Sequence, residues 1–540
     1  MKRRDFLKTG LKIGVAANAL PLMLGGMPVR ALGRSPLRRA LEASGGANNN
    51  VLVIIQLQGG NDGLNCVVPY ADPNFISLRP TIRNLDASTL LKLGDHDTLA
   101  FHSAMTGIST LYGEGKVAVL QNVGYPLPNL SHFRGTDIWQ TGTDSSIYAS
   151  TGWVGRLLYE QNPTYPPQTI PAGSQPLAIQ FGNSLSNLFL SANGGMGIAI
   201  NQVPTKPTGS VHHYDDIPAT HATEYDELQY VRIIQSETEV YAQTIVSRSI
   251  TTNKVTYPTG NTLASQLSSI AQLIASGFQT KVYLVTQGSY DTHSNELTTQ
   301  GNLLGDLAAA VLAFQQDLEA FGVADRVAMM TYSEFGRRPQ ENGSGTDHGT
   351  AAPHFVIGTQ VNGGVMGQDP NLSSSALVAG NLAYDTNHDF RNIYASVMNE
   401  WLLAGGDQTQ INTDIHSVLT SDANGTYSTM SSWNASLGIF KGSQSAVNSN
   451  AGAMGLMLMQ NYPNPVYGVT SIEYALPATG PVQLGLYNTA GIEIERMVDG
   501  NQDAGPHRQS FDTSRLPSGA YLYRLTTASG NIARQMIVER

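Results

Sequence analysis

The chain has 540 residues, of which 41% are hydrophobic and 13% charged, with a formal net charge of −10 and one cysteine, Cys66. That length exceeds one ordinary domain, and the apolar share excludes wholesale disorder. The acidic balance excludes the basic field that a nucleic-acid partner requires, and a lone cysteine excludes both an intrachain disulfide framework and a cysteine zinc site.

The chain opens with Lys2-Arg3-Arg4-Asp5-Phe6-Leu7-Lys8, followed by a modestly apolar stretch over residues 13–27. Gly14, Asn18, Pro21 and Gly25 interrupt that stretch, so it is too short and too polar for a permanent span. Residues 1–43 therefore read as an export leader, apart from the fold. The paired arginines before Phe-Leu-Lys resemble a twin-arginine signal, which implies export of a folded protein through that machinery. No later run reaches transmembrane length, so the mature protein is expected to lack a transmembrane span.

Val51–Leu57 is a continuous apolar run that ends in Gly59-Gly60-Asn61-Asp62-Gly63 and predicts a buried strand of a parallel sheet. Similar strands are predicted at 116–120, 177–181, 281–286, 326–332 and 354–357. Helical patterns lie between them at 224–247, 261–276, 301–321 and 391–403. The alternation predicts an α/β domain over residues 50–420, a sheet with helices on both faces. Ligands in such folds bind beyond the carboxyl ends of the strands. From 421 to 457 the chain turns rich in Ser, Asn, Gly and Ala and reads as a linker. Residues 458–540 alternate with period two in short segments separated by turns, which predicts a small all-β sandwich.

The tail carries Gln460-Asn461-Tyr462-Pro463-Asn464-Pro465, then Ile472 to Pro477, then Leu516-Pro517-Ser518-Gly519-Ala520-Tyr521-Leu522-Tyr523-Arg524. It resembles the type A C-terminal sorting domain of the type IX secretion system. The resemblance implies passage through that machinery to the cell surface or the medium by way of the periplasm, and no catalytic group in the tail.

Four polar clusters fall beside predicted strand ends. Asp62 stands in a glycine-rich turn where a carboxylate suits a hard cation, although an Asn-Asp-Gly turn explains it as well. Ser131 and His132 follow Pro128-Asn129-Leu130 at a predicted helix start. Ser131 is a natural N-cap there, or else a nucleophile at the positive end of the helix, with His132 a ligand or proton carrier. Asp291 and His293 are two apart on an extended segment, so both side chains project to one side, a spacing that suits two ligands on one metal. Asp347 and His348 are adjacent and flanked by glycine, offering oxygen and nitrogen from one turn. Five such groups exceed the usual four ligands of one zinc, so one or two divalent cations are expected, with zinc, magnesium, manganese and calcium all open. Arg337 could clamp an anionic substrate. His102 and Glu334 could add ligands or outer contacts, and His354 reads as a core or outer histidine. His388 reads as a helix cap, and His212 and His213 as solvated.

Gly59 to Asn65, Asn129 to Phe133, Asp291 to His293, Glu334 to Arg337 and Thr346 to Gly349 also resemble, in order, the bacterial family called domain of unknown function 1501. That family is similar to the alkaline phosphatase and sulfatase superfamily. The resemblance implies an alkaline-phosphatase-like α/β fold in which Asp62, Asp347 and His348 share a metal near Ser131 while Asp291 and His293 hold a second. The closer spacing of Asp291 and His293, and the missing equivalent of a last histidine, depart from the superfamily pattern. The function these observations imply is an exported metal-dependent hydrolase of phosphate or sulfate esters. The alternative is a non-catalytic, metal-stabilised surface binding or structural protein. The export context alone suggests a third reading, an enzyme of polysaccharide breakdown.

Overall fold

The structure, a computed structural model, describes residues 48–539 except 84–88, 95, 164, 166–172, 204–238, 249–250, 423–424, 431–432, 443–456 and, in the tail, 459–460, 462–463, 465, 477, 489–491, 504 and 529. Apart from two paired two-residue strands, Met23–Leu24 and Met27–Pro28, the leader expected at 1–43 lies outside the described residues, as do His212, His213 and residues 224–238 of one expected helix. The chain divides into two units, Met1–Ser443 and Gln444–Arg540, each with its own core.

The first unit is built on an eight-stranded sheet. Its strands in chain order are β1 (Val51–Leu57), β2 (Val117–Val123), β3 (Ala178–Phe181), β4 (Ile198–Ile200), β5 (Val282–Gln287), β6 (Val327–Tyr332), β9 (Ala352–Ile357) and β10 (Gly364–Met366). A hairpin of β7 (Arg337–Glu341) and β8 (Thr346–His348) separates β6 from β9. The sheet order is β4-β3-β5-β1-β6-β9-β2-β10. The apolar run of β1 is buried at every residue because a strand runs beside it on both edges and side chains cover both its faces. All strands run in one direction except β9, which is antiparallel to β6 and β2. The cause is local. Parallel neighbours need a long crossover, usually a helix, whereas the hairpin between β6 and β9 turns the chain straight back.

The helices around the sheet include, among the described residues, α1 (Thr106–Gly113), α2 (His132–Thr141), α3 (Trp153–Gln161), α4 (Thr262–Ala275), α5 (Glu296–Phe321), α6 (Phe390–Val397) and α7 (Gln408–Leu419). α5 packs on α1 and α4, while α7 packs on α3 and α6. α5 starts five residues before the apolar periodicity predicts, because its first turn buries the polar Glu296 and Gln300 rather than apolar side chains. Residues 239–247, the described end of the helix expected over 224–247, are helical. The last expected helix is split, with α6 continuing as a π-helical turn over Met398–Leu402.

The stretch read as a linker does not begin at 421. Tyr427, Ile439 and Phe440 are buried, and Phe440 stacks on Trp401 with ring centroids 4.9 Å apart. Full burial of one such ring contributes about 1.5–3 kcal/mol, enough to hold a polar segment against the large unit. Among the described residues of the second unit, the strands pair antiparallel. β11 (Val469–Leu476) pairs with β14 (Gly505–Asp512), and a four-stranded sheet follows the order β13 (Glu493–Gln502), β12 (Gly480–Asn488), β15 (Gly519–Thr527), β16 (Gly530–Val538). Its core includes Ile472, Leu484, Leu486, Tyr523, Leu525 and Met536. No helix among the described residues is long and apolar enough to cross a membrane.

Beyond the ends of β1, β5 and β6 lies a buried polar node. Asp62 has no exposed side-chain surface, and both its oxygens accept from the guanidinium of Arg79, itself fully buried. Arg79 also donates to the carbonyls of Pro339 (2.9 Å) and Arg338 (2.8 Å), pinning the β7 strand. Asp62 is therefore not an open ligand, as the sequence suggested, but one half of an ion pair. Burial opposes its ionisation, yet Arg79 beside it holds its pKa below the ordinary carboxylate range. Glu296 lies against it, raised by burial and by the Asp62 charge, so that Glu296 keeps the proton and Asp62 is the anion. Thr346 donates to Glu296 at 2.5 Å, joining the start of α5 to β8.

Two outcomes follow. Glu296 is protonated in the fold at pH values where the unfolded chain ionises it, so its contribution to stability is complete below the ordinary carboxyl pKa and declines as pH rises above it. Glu296→Gln mimics the neutral form, so its denaturation midpoint should gain on that of the parent protein steadily from acid to neutral pH. A difference independent of pH would contradict the assignment. Gly59 sits at φ +124°, and a Cβ there would lie 2.4 Å from the Asp291 nitrogen. Gly59→Ala should lose at least about 1–3 kcal/mol of stability in urea titration.

Candidate metal centre

The strand ends are gathered by one guanidinium. Arg337 is buried, and its donors reach the carbonyls of Gly60 (2.7 Å), Gly59 (2.6 Å), Tyr290 (3.0 Å) and Thr346 (2.9 Å) and the Asp291 carboxylate (2.7 Å). This corrects the expectation that Arg337 clamps an anion. Its charge is enclosed and its hydrogen bonds go to loop backbones, so it ties the ends of β1 and β5 to the β7–β8 hairpin.

Around it four groups meet. His132 comes from the start of α2, Asp291 and His293 from the loop after β5, and His348 from the end of β8. His132, Asp291 and His348 offer ligand atoms that all lie within 4.8 Å of one another, the one such group among the described residues. Asp291 is central. Its Oδ2 is 3.2 Å from His132 Nε2, and its Oδ1 is 3.2 Å from the Nε2 atoms of both His293 and His348. The two latter nitrogens are 3.0 Å apart. Burial works against the Asp291 charge, but the hydrogen bond and positive charge of Arg337 beside it outweigh that and lower its pKa to about 2. The loop is held in a restricted shape, with Ser289 at φ 77° and Asn295 at φ 52° on either side of the pair.

The far nitrogens of the rings decide the tautomers. His132 Nδ1 lies 2.8 Å from the Glu334 carboxylate, and His348 Nδ1 lies 2.8 Å from the Leu130 carbonyl. Each partner accepts, so Nδ1 is a donor in both rings and Nε2 is the nitrogen turned toward Asp291, where the neutral ring offers a lone pair. His293 turns its Nδ1 toward Asp347, 3.5 Å away. His132 Nε2 is buried and makes no hydrogen bond. Glu334, with no exposed side-chain surface, also accepts from the Gly59 N–H at 2.9 Å, which fixes the carboxylate that aims His132. Phe335 lies against both His132 and His348, with ring centroids 4.9 and 4.5 Å away. The facing nitrogens and carboxylate oxygens, about 3 Å apart, need positive charge among them, supplied by protons on Nε2 or by a cation that takes their place. A divalent cation fits this donor set.

Ser131 stands next to His132 as the N-cap of α2, but its side chain makes no capping hydrogen bond and the residue is exposed. Asp347 is exposed and touches the centre through His293. Asp62 is outside the converging group, as described above. His354 is buried, with its pKa lowered to about 4 by burial, and donates from Nδ1 to the Thr331 carbonyl in the core. His102 is buried beside Ala104 and α5, and His388 lies against the Gln121 carbonyl at 2.7 Å, so neither joins the cluster. Reading the sequence missed Arg79, the Leu130 carbonyl and Phe335. Arg79 lies in a polar segment with no motif, and a carbonyl or a packing ring has no residue-type signature.

No curated protein matches this sequence. Among solved structures, similarity is found to a protein in the alkaline phosphatase superfamily from Vibrio parahaemolyticus (11% identity, 81% of this chain and 77% of that one, TM-score 0.33). A sulfatase from Pseudoalteromonas sp. is similar at 10% identity over 89% and 87% of the two chains (TM-score 0.31). The lipoteichoic acid synthase from Listeria monocytogenes is similar at 10% identity over 59% and 68% (TM-score 0.28). Likenesses this distant bear on neither mechanism nor substrate. Family models match in two places, 270–414 and 460–539. By residues 270–414 the chain is related to the family described as protein of unknown function (DUF1501), and residues 460–539 are a secretion system C-terminal sorting domain.

Proposed function

We propose that the protein is an exported metal-dependent hydrolase of phosphate or sulfate esters, working at the cell surface or in the medium. The sorting domain supports the address, with the type IX machinery as its partner and a twin-arginine passage through the periplasm before it. The observation that carries the chemistry is the meeting of His132 Nε2, His293 Nε2 and His348 Nε2 on one carboxylate, Asp291, with no hydrogen bond to His132 Nε2. A bound divalent cation would supply Lewis-acid polarisation of the ester oxygen and lower the pKa of a neighbouring hydroxyl.

The chain supplies the rest. Ser131 places an uncommitted hydroxyl one residue from the His132 ligand, which suits a nucleophile. The first N–H groups of α2 have no intrahelical partner and sit at the positive end of its dipole, so they replace Arg337 as the receptor for an anionic ester. Glu334 and the Leu130 carbonyl hold the ring protons of His132 and His348 at Nδ1, away from the centre. The alternative of a non-catalytic, metal-stabilised surface module is favoured by the structural use of Arg337, which leaves no side-chain cation among the centre's own groups to hold an anion.

Two measurements separate these readings. Ser131→Ala should lower turnover of an aryl phosphate or aryl sulfate on the order of 10³-fold or more while metal content stays constant. Parent protein that holds metal but turns over neither ester supports the module. Glu334→Gln keeps the shape of the side chain but removes the charge behind His132, and should weaken metal affinity about 10–100-fold in a competition titration. Unchanged affinity would remove His132 from the ligand set.

A further inference from the structure

The proposed function leaves open whether the centre holds one cation or two, and of which class. We infer that it holds a single cation of the zinc class, bound by His132, His293, His348 and Asp291, and that the Arg79 guanidinium stands where a second cation would otherwise neutralise Asp62. This rests on the metal reading of the centre and goes beyond it in number, ligand set and metal class.

The first argument is charge. Glu334 is occupied by His132 and the Gly59 N–H and Asp347 is exposed, so Asp62 is the enclosed strand-end carboxylate that a second, buried cation would use. Both its oxygens already accept from Arg79, and neither side chain has exposed surface. Arg79 is not a loose partner that an arriving ion could displace, since it is also fastened to the carbonyls of Pro339 and Arg338. Glu296, the other acid of the node, keeps its proton and accepts from Thr346, so it brings no second negative charge. The node is neutral as it stands. A dication added to it would be an uncompensated buried charge.

The second argument is geometry. A tetrahedral site with bonds of about 2.0–2.1 Å has ligand atoms roughly 3.3 Å apart. The pairs His132–Asp291, His293–Asp291 and His348–Asp291 are each at 3.2 Å, and His293–His348 is at 3.0 Å. Asp291 turns Oδ2 to His132 and Oδ1 to His293 and His348, the ligand atoms of His132, Asp291 and His348 lie within 4.8 Å of one another, and His293 adjoins that group through Asp291 and His348, a cluster sized for one ion. The third argument is donor type. Three imidazoles to one carboxylate is a nitrogen-rich set, which suits zinc and its first-row neighbours. Magnesium and calcium take oxygen. Each ring is backed at Nδ1 by an oxygen, from Glu334, Leu130 or Asp347, the arrangement that orients metal-binding histidines.

The test uses the full chain. The purified protein is exposed to equal zinc, magnesium and calcium, dialysed, and its metals are counted by elemental analysis. One equivalent of zinc with no retained magnesium or calcium is expected. Two equivalents, or retention of magnesium or calcium in place of zinc, overturns the single-cation inference and leaves the hydrolase proposal standing. Retention of no metal overturns the metal reading on which both depend. The double variant Asp62→Asn/Arg79→Met removes the buried pair together, so no lone charge is left behind. It should keep one equivalent, and a fall to zero would make Asp62 a ligand and overturn the assignment. Cobalt substitution gives a readout apart from activity. The strong visible absorption of a four-coordinate ion is expected in the parent protein and should be lost in His132→Ala with circular dichroism unchanged. Absorption that survives in that variant would remove His132 from the set.

Discussion

The site depends on the burial of one arginine. Arg337 draws the carbonyls after β1, the loop after β5 and the β7–β8 hairpin onto a single guanidinium, and the same group fixes Asp291. A buried guanidinium without partners would be severely costly, so the loops can close only in the arrangement that satisfies it. That arrangement is the one in which Asp291 faces three imidazoles. Catalytic-looking geometry here is a consequence of a structural charge, not of the ligands' own attraction for one another.

A second buried arginine divides the polar region in two. Arg79 with Asp62 and Glu296 makes a closed, neutral node beneath the hairpin, while the centre above it is open, half-exposed and electron-rich. Carboxylates a short distance apart in the fold therefore play opposite parts. Asp62 is neutralised by a side chain and rigidifies. Asp291, about half exposed, is ionised and faces lone pairs. The distinction comes from what each carboxylate is packed against, since residue type is the same in both.

Much of this was legible in the chain. The buried strands, the place of the polar clusters at strand ends and the all-β tail follow from periodicity and glycine punctuation, which are local properties. Asp291 and His293 were readable as a pair because alternation on an extended segment aims both side chains one way. The reversal of β9 was not readable from an apolar run, since its direction is set by the hairpin before it. Nor was the attachment of the segment that carries Tyr427, Ile439 and Phe440, where three buried side chains outweigh a polar composition.

The sequence by itself determined the kinds of donor available, their order along the chain and the sorting address in its tail, because these depend on residue identity and short-range pattern alone. Only the tertiary structure decided that Arg337 is enclosed rather than presented, that Asp62 belongs to Arg79, and that Glu334 and a backbone carbonyl turn Nε2 of two histidines inward. Apart from the Asp62–Arg79 pair, 17 positions apart, those outcomes turn on which groups more than two hundred positions apart are left together without water. In that setting an unmet charge or hydrogen bond costs more than local preference can supply.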